Sequence, residues 1–491
     1  MTTELETLQA GTILSTTESV CPECLARIPA TRVARGEDVF LRKSCPEHGD
    51  IETIVWRGRP AFRTWVRPKN PVHPTKPLKQ VDRGCPFDCG LCPDHRQQSC
   101  CVLLEVTMRC DLRCAFCFAS AGAAGSDPDT AVLAERMRRL FETTGPVNLQ
   151  LSGGEPCVRD DLPQIASLAR EIGFTFVQVN SNGLRLAREA DYAQRLRDAG
   201  VATVFLQFDG TRDDIHRQMR GRALLAQKIA AIENCAAAGL GVVLVPVVVP
   251  GINADNLGEI LDFALRRQPV VRGVHFQPVS YFGRYPAPPT DADRITLPEI
   301  MAGIEDQSGG RVRVENFRPA GAENALCSFN GTFVSMPDGR LFPLTRPRAT
   351  TSCCSSTEPV APKAGSCCAE AETVAPLEAS RCSETAPVDG SARARDFVAR
   401  SWAAPEVREP VAPLPGPSFG EWDVFLARAR THALTISGMA FQDAWTLDLD
   451  RLRDCHIHIT DPDGATIPFC AYNLTGTDGS GPYRPERPVG K

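Results

Sequence analysis

No stretch of the chain is long and apolar enough to cross a bilayer. The most apolar run, LGVVLVPVVVPG, is short and broken by prolines. Charge of one sign is also lacking. The formal net charge of −5 over 491 residues gives no strong field for nucleic acid or acidic lipid, so neither a nucleic-acid partner nor a membrane span is expected. The start, MTTELETLQAGT, has no basic n-region and no apolar h-region, so no signal peptide is expected and the chain is read as cytoplasmic. What is abundant is cysteine, 21 in all. Clustered cysteines in a cytoplasmic chain point to metal binding rather than to disulfides.

Composition divides the chain into five parts. Residues 1–75 hold CPEC and CPEHG, then the Pro-rich linker RPKNPVHPTKP. Residues 76–101 carry the spacing C-x3-C-x2-C and no clear regular structure. From 102 to 345, apolar strands (VLLEVT, VNLQLS, FTFVQVN, TVFLQFD, GVVLVPVVV, VRGVHFQPV) alternate with amphipathic helical patterns. That alternation predicts an α/β fold with a parallel sheet and helices outside it, as a partial or full barrel of six βα units. Its active site is expected at the C-terminal strand ends. Residues 346–418 are rich in Pro, Ala, Ser, Thr and Glu and are expected to be mostly disordered. Residues 419–491 regain aromatics and are expected to pack as a small C-terminal lobe.

The spacing C-x3-C-x2-C occurs twice, as CPFDCGLC and as CDLRCAFC. Cys110, Cys114 and Cys117 directly follow VLLEVT, which puts them at the mouth of the predicted barrel. Three thiolates in a tight loop bind three irons of a [4Fe–4S] cluster and leave the fourth iron open to a chelating small molecule. Phe116 is placed to cover a cofactor ring. After the second strand comes SGGEP, where Gly153 and Gly154 let the backbone approach a ligand and Glu155 suits an ammonium group. After the third comes NSNG, where Asn180 and Asn182 suit a ribose or carboxylate. No catalytic acid, base or nucleophile is assigned.

The first motif, Cys85, Cys89 and Cys92, precedes the first barrel strand. Cys100, with Cys101 next in line, is expected to complete a four-ligand auxiliary cluster; a structural zinc knot is the alternative. Cys21, Cys24, Cys45 and His48 form two C-x2 pairs, read as a zinc-ribbon or rubredoxin-like knuckle holding zinc or iron. It stabilises a lobe with little core. Cys327, Cys455 and Cys470 are distant in sequence and are weighed equally as a second auxiliary site and as buried unligated thiols. Cys235 is read as core, and His456 and His458 as a solvated strand face. The pairs Cys353–Cys354 and Cys367–Cys368, with Cys382, suit soft ions or are incidental.

With CDLRCAFC followed by GGEP, the chain resembles the radical S-adenosylmethionine (SAM) superfamily. The resemblance implies a [4Fe–4S] cluster on Cys110, Cys114 and Cys117, with SAM on the open iron. It implies reductive cleavage of SAM to a 5′-deoxyadenosyl radical. It also implies a SAM contact from Glu155 and weaker ones from Asn180 or Asn182. The wider pattern, from CPEC through SGGEP, HFQPVSYFGR and FNGTFVSMPDG to IPFCAYN, resembles the archaeal tetraether lipid synthase and methanogen radical SAM pterin methyltransferase group. One departure is Cys157 in SGGEPC, where Thr is expected.

That group carries several iron–sulfur clusters and acts on unactivated C–H carbons. The implied activity is C–C coupling or methyl or methylene transfer on a lipid or pterin-like small molecule. The implied partner is a reductant such as flavodoxin or ferredoxin, and one or two auxiliary [4Fe–4S] clusters are implied. The alternatives are a radical SAM enzyme that modifies peptides or proteins, and a non-catalytic metal or redox carrier.

Overall fold

A computed structural model describes residues 11–345 except 68, 70, 75, 76, 78 and 320, together with 390–405 and 420–484. Alternation of half-buried residues builds a four-stranded antiparallel meander first: β1 (Thr12–Val20), β2 (Arg27–Arg35), β3 (Asp38–Cys45) and β4 (Gly49–Trp56). This small sheet has little core of its own and docks through side chains. Arg32 pairs with Asp448 at 2.5 Å, and Arg57 with Glu299 at 2.7 Å. Buried Lys43 donates to Ser19 Oγ, Val20 O and Ala444 O at 2.7–3.0 Å, and burial lowers its pKa to about 7.

The main sheet begins with β5 (Cys101–Thr107), β6 (Asn148–Gly153), β7 (Val177–Ser181), β8 (Val201–Gln207), β9 (Gly241–Val245), the short β10 (Val247–Val248) and β11 (Val271–Pro278). Six of these, β5, β6, β7, β8, β9 and β11, lie side by side in chain order and parallel, as the alternation of strands and helices predicts. Period-two alternation gives each strand two faces. Leu149, Leu151, Val177, Val179, Val204 and Leu206 point outward into one core with the surrounding helices. Each such side chain contributes roughly 1.5–3 kcal/mol by leaving water. The alternate positions face the barrel interior.

The sheet then continues beyond residue 345. After β12 (Arg318–Pro319), β13 (Ser328–Ser335) and β14 (Leu341–Pro343) come β15 (Ala433–Met439), β16 (Ile457–Thr460) and β17 (Thr466–Pro468). The expected separate C-terminal lobe is therefore corrected. β15 joins the sheet parallel to β11, and β16 joins the other edge parallel to β5. The reason is edge pairing: each end strand of the six-strand core is covered by one from the C-terminal segment.

The expectation of disorder over 346–418 also fails at one end. Gly390–Trp402 is a helix whose Trp402 is buried against Phe205, with ring centroids 5.4 Å apart. Trp402, Val398 and Ala399 pack with Phe176, Val243 and Val245, and Trp402 O accepts from Thr203, contacts that composition alone did not reveal. Cys353, Cys354, Cys367, Cys368 and Cys382 lie outside the described residues. No described helix is long and apolar enough to cross a membrane.

Candidate active site and metal centres

The loop after β5 carries Cys110, Cys114 and Cys117, and neighbouring elements hold it by its backbone. Arg284 is the main staple. Its Nε donates to Cys114 O at 2.8 Å and its Nη1 to Ala121 O at 3.0 Å, while its backbone exchanges two 2.9 Å hydrogen bonds with Cys117. Gly283 beside it has φ +64°, and a Cβ there would stand 2.5 Å from the carbonyl oxygens of Cys117 and Phe118. Only glycine fits.

The two glycines of SGGEP serve a different contact from the one expected. A Cβ on Gly153 would meet Thr107 O at 2.0 Å, and one on Gly154 would meet Arg109 O at 2.3 Å. Their close approach is to the cysteine loop itself, where Gly154 N and Glu155 N donate to those same carbonyls. Both glycines also border the cavity described below.

Glu155 is buried. Its Oε1 accepts from Cys157 N at 3.0 Å and Ser181 Oγ at 2.9 Å, and its Oε2 accepts from Asn182 N at 2.6 Å. Burial raises its pKa, and these donors favour the carboxylate. Asn182 in turn donates to Asp111 Oδ1 at 2.7 Å and accepts from Leu184 N at 2.9 Å. Cys157 is fully buried with its thiol 3.4 Å from Ser181 Oγ, so it is packing.

Sequence reading missed the partners that gather around Asp209. Asp209 and Arg220 form a buried double hydrogen bond, 2.7 Å on each side. Arg220 Nη1 also donates to Phe116 O at 3.3 Å, and the Cys114 side chain lies within electrostatic range of its guanidinium. Lys228, fully buried, donates to Asn182 O at 2.5 Å and Gln207 Oε1 at 3.2 Å; burial lowers its pKa to about 8. No local spacing marks this trio, because its members meet only through the barrel.

All nine residues expected at this mouth, namely Cys110, Cys114, Phe116, Cys117, Gly153, Gly154, Glu155, Asn180 and Asn182, border one cavity of about 1120 Å³. The cavity continues into the barrel along inward positions of successive strands. Gln150, Gln178, Asn180, Gln207, Gln277 and Ser437 line it. Gln178 Nε2 and Oε1 and Asn180 Oδ1 are buried without a hydrogen-bond partner among the described residues.

The N-terminal knuckle assembles as expected. The ligand atoms of Cys21, Cys24, Cys45 and His48 all lie within 4.8 Å of one another. Zn–S bonds of about 2.3 Å in a tetrahedron put sulfurs roughly 3.8 Å apart, and Cys24 Sγ lies 3.9 Å from Cys45 Sγ. His48 presents Nδ1, 3.4 Å from Cys45 Sγ and 3.6 Å from Cys21 Sγ. The hydrogen bond with His48 lowers the Cys45 pKa to about 6.

Cys85, Cys89 and Cys92 are buried together, and the Cys85 thiol lies within electrostatic range of both of the others. Cys100 and Cys101 both border the main cavity, and Cys101 lies in one buried apolar cluster with Cys85 and Cys89. Cys327, Cys455 and Cys470 come within electrostatic range of one another. Arg451 Nε donates to Cys327 Sγ at 3.4 Å, and Gln442 N to Cys470 Sγ at 3.2 Å. Converging thiols with a cation and an N–H donor are chemistry that fits cluster ligands. Cys235 is core.

His456 and His458 are not a solvated face. His458 is fully buried between Ser99 Oγ at 3.1 Å and His95 Nε2 at 3.3 Å. His456 Nε2 pairs with Glu323 at 3.1 Å. His458 lies in β16 and His456 immediately before it, and both meet the 85–100 loop, which the strand pattern alone did not reveal.

Residues 104–264 match the radical SAM superfamily, and residues 13–57 match the HMPTM N-terminal zinc ribbon domain. Over 485 residues, 93% of each chain, the protein is 32% identical to the 7,8-dihydro-6-hydroxymethylpterin dimethyltransferase of Methanocaldococcus jannaschii. The chain is a radical SAM enzyme of that family. It is also 27% identical to a probable GTP 3′,8-cyclase of Methanothermobacter marburgensis, over 51% of this chain and 85% of the relative. Among solved structures, methylornithine synthase matches at 13% identity and a TM-score of 0.32, over 44% of this chain and 63% of that one. A [4Fe–4S] cluster and SAM belong to the superfamily's chemistry. The three thiols on one cavity fit that pair, and the knuckle fits the zinc ribbon.

Proposed function

We propose that this radical SAM enzyme transfers a methyl-derived carbon to a C–H carbon of a polar nitrogen heterocycle of the pterin class. The observation that carries this reading is the amide-lined interior, above all Gln178, whose two buried side-chain atoms lack partners among the described residues. Leaving such a group unsatisfied costs about 1–3 kcal/mol. A heterocycle edge with adjacent donors and acceptors satisfies it. An alkyl chain does not, which argues against the lipid branch of the resemblance.

Cys110, Cys114 and Cys117 would hold the [4Fe–4S] cluster. When bound, cluster and SAM together supply a 5′-deoxyadenosyl radical to the cavity. The chain's own residues do the rest. Arg284 and Arg220 fix the cysteine loop, Glu155 fixes the junction of β6 and β7, and the enclosing strands keep water from the reacting carbon. Gln150, Gln178 and Asn180 orient the heterocycle edge. Cys85, Cys89 and Cys92, completed by Cys100 or Cys101, are proposed as one auxiliary cluster site, and Cys327, Cys455 and Cys470 as a second. An external one-electron reductant of flavodoxin or ferredoxin type completes the proposal.

The test supplies anaerobically reconstituted enzyme, SAM and reductant with substrates deuterated at carbon, because the 5′-deoxyadenosyl radical takes hydrogen from the substrate and the SAM methyl leaves with methionine. Reduced 6-hydroxymethylpterin and an isoprenoid ether lipid are offered in separate reactions. Deuterium passing from the pterin into 5′-deoxyadenosine is expected. Deuterium passing from the lipid alone would overturn the reading.

A further inference from the structure

The main sheet is not closed by backbone pairing among the described residues, since its order runs openly from β12 to β17. Side chains bridge the seam between the two edges. Glu323 pairs with His456 at 3.1 Å, and Asn324 Nδ2 donates to Asp454 at 2.9 Å. The cavity reaches this seam, where Arg67, Lys69, Arg318 and Arg393 border it.

The acids there are already engaged. Glu323 accepts from Ser328 Oγ as well as pairing with His456, and Asp454 pairs with Arg96 at 2.9 Å. Four cationic side chains border the cavity here, with Glu323 as the carboxylate among them. Lys69 Nζ is buried with no hydrogen-bond partner among the described residues, although Glu323 and Asp454 lie within electrostatic range. Around it the backbone leaves little room. A Cβ on Gly321 would stand 3.3 Å from Arg67 Nη1, and one on Gly390 would stand 3.5 Å from Gly321 O. The helix bearing Arg393 thus abuts the strip bearing Arg318.

We propose that this seam is a subsite for a phosphate or diphosphate group carried by the substrate, with Lys69 as the buried contact and Arg67, Arg318 and Arg393 around it. A desolvated ammonium and convergent guanidinium groups are the chemistry that recognises phosphoryl oxygens. Glu323 borders the cavity here as well, held by Ser328 Oγ and His456. The inference deepens the heterocycle reading by adding an anionic ester to the substrate, and it rests on that reading for the other end of the molecule.

Full-length reconstituted enzyme is titrated calorimetrically with three probes. These are inorganic pyrophosphate, 6-hydroxymethyl-7,8-dihydropterin and the diphosphate ester of that alcohol. The ester is expected to bind at least about tenfold tighter than either the alcohol or free pyrophosphate. Lys69→Met and the exposed-site variant Arg393→Glu are each expected to erase most of that gain, with zinc and iron content and circular dichroism unchanged.

Equal binding of alcohol and ester overturns the subsite, and so does ester binding insensitive to both variants. An ester no tighter than free pyrophosphate overturns the claim that the anion is substrate-borne. If the variants weaken pyrophosphate binding but no pterin gives up hydrogen to 5′-deoxyadenosine, the subsite stands and the heterocycle reading fails. If the alcohol is methylated while pyrophosphate does not bind, the reverse holds.

Discussion

The Glu155 carboxylate accepts a 2.6 Å hydrogen bond from the backbone N–H of Asn182. With Ser181 Oγ and Cys157 N on its other oxygen, it ties the C-terminal ends of β6 and β7 together beside the cysteine loop. Glu155→Gln replaces one acceptor by an NH2 group that faces donors. The loss of about 1–3 kcal/mol predicts SAM binding weaker by roughly tenfold to a hundredfold with the fold retained. Equilibrium dialysis with labelled SAM measures it; unchanged affinity would detach this carboxylate from the cofactor site.

Gly283 tests the architecture of the loop. Any side chain there runs into the carbonyls of Cys117 and Phe118 and sits at positive φ. Gly283→Ala is expected to lower the iron bound at the loop by more than half, about two of four irons per chain. Iron and sulfide assay in a background lacking Cys85, Cys89, Cys92, Cys327, Cys455 and Cys470 isolates that site. Full occupancy in the variant would mean that the loop is free to adjust.

His275 gives a pH signature. It is buried beside Ser437 Oγ at 2.9 Å, and burial lowers its pKa from 6.5 to about 4. Above pH 6.5 the ring is neutral folded or unfolded and adds nothing. Between pH 6.5 and 4 the unfolded chain takes up a proton that the native chain refuses, so stability falls as pH falls. The loss attributable to this ring reaches about 3 kcal/mol near pH 4. Urea midpoints across that range should drop less steeply for His275→Gln than for wild type. Parallel curves would show that the ring titrates normally.

The knuckle predicts about one zinc per chain. Because the four-stranded sheet packs on Ala444, Leu447 and Asp448, metal removal should loosen more than residues 12–56. Chelation is expected to lower the melting temperature and to speed hydrogen exchange in 444–448 as well as in the sheet. Protection confined to its apo value within the sheet, with 444–448 unaffected, would make the lobe independent.

What was legible in the sequence was local. The six strands show themselves because each is a short apolar run between amphipathic helices, and CDLRCAFC and SGGEP carry their function in their spacing. The knuckle is legible for the same reason, as two C-x2 pairs. Relationships made through space were not legible. β15 and β16 join the sheet more than a hundred residues from their partners in β11 and β5. Arg284 staples a loop about 170 positions away. The glycines of SGGEP stand out in the sequence, but the Thr107–Arg109 backbone they crowd does not. The polar interior was present in the strands as Gln150, Gln178 and Gln207, interleaved with apolar residues. Only the register shows that these amides share one cavity.

The most direct measurement is 5′-deoxyadenosine formed from SAM by anaerobic, reduced enzyme. The account predicts formation by wild type and none after Cys110, Cys114 and Cys117 are replaced by Ala. It also predicts retained formation, without substrate turnover, after Cys85, Cys89 and Cys92 are replaced. No 5′-deoxyadenosine from wild type would contradict the account, as would its loss in the second variant with the barrel cluster intact.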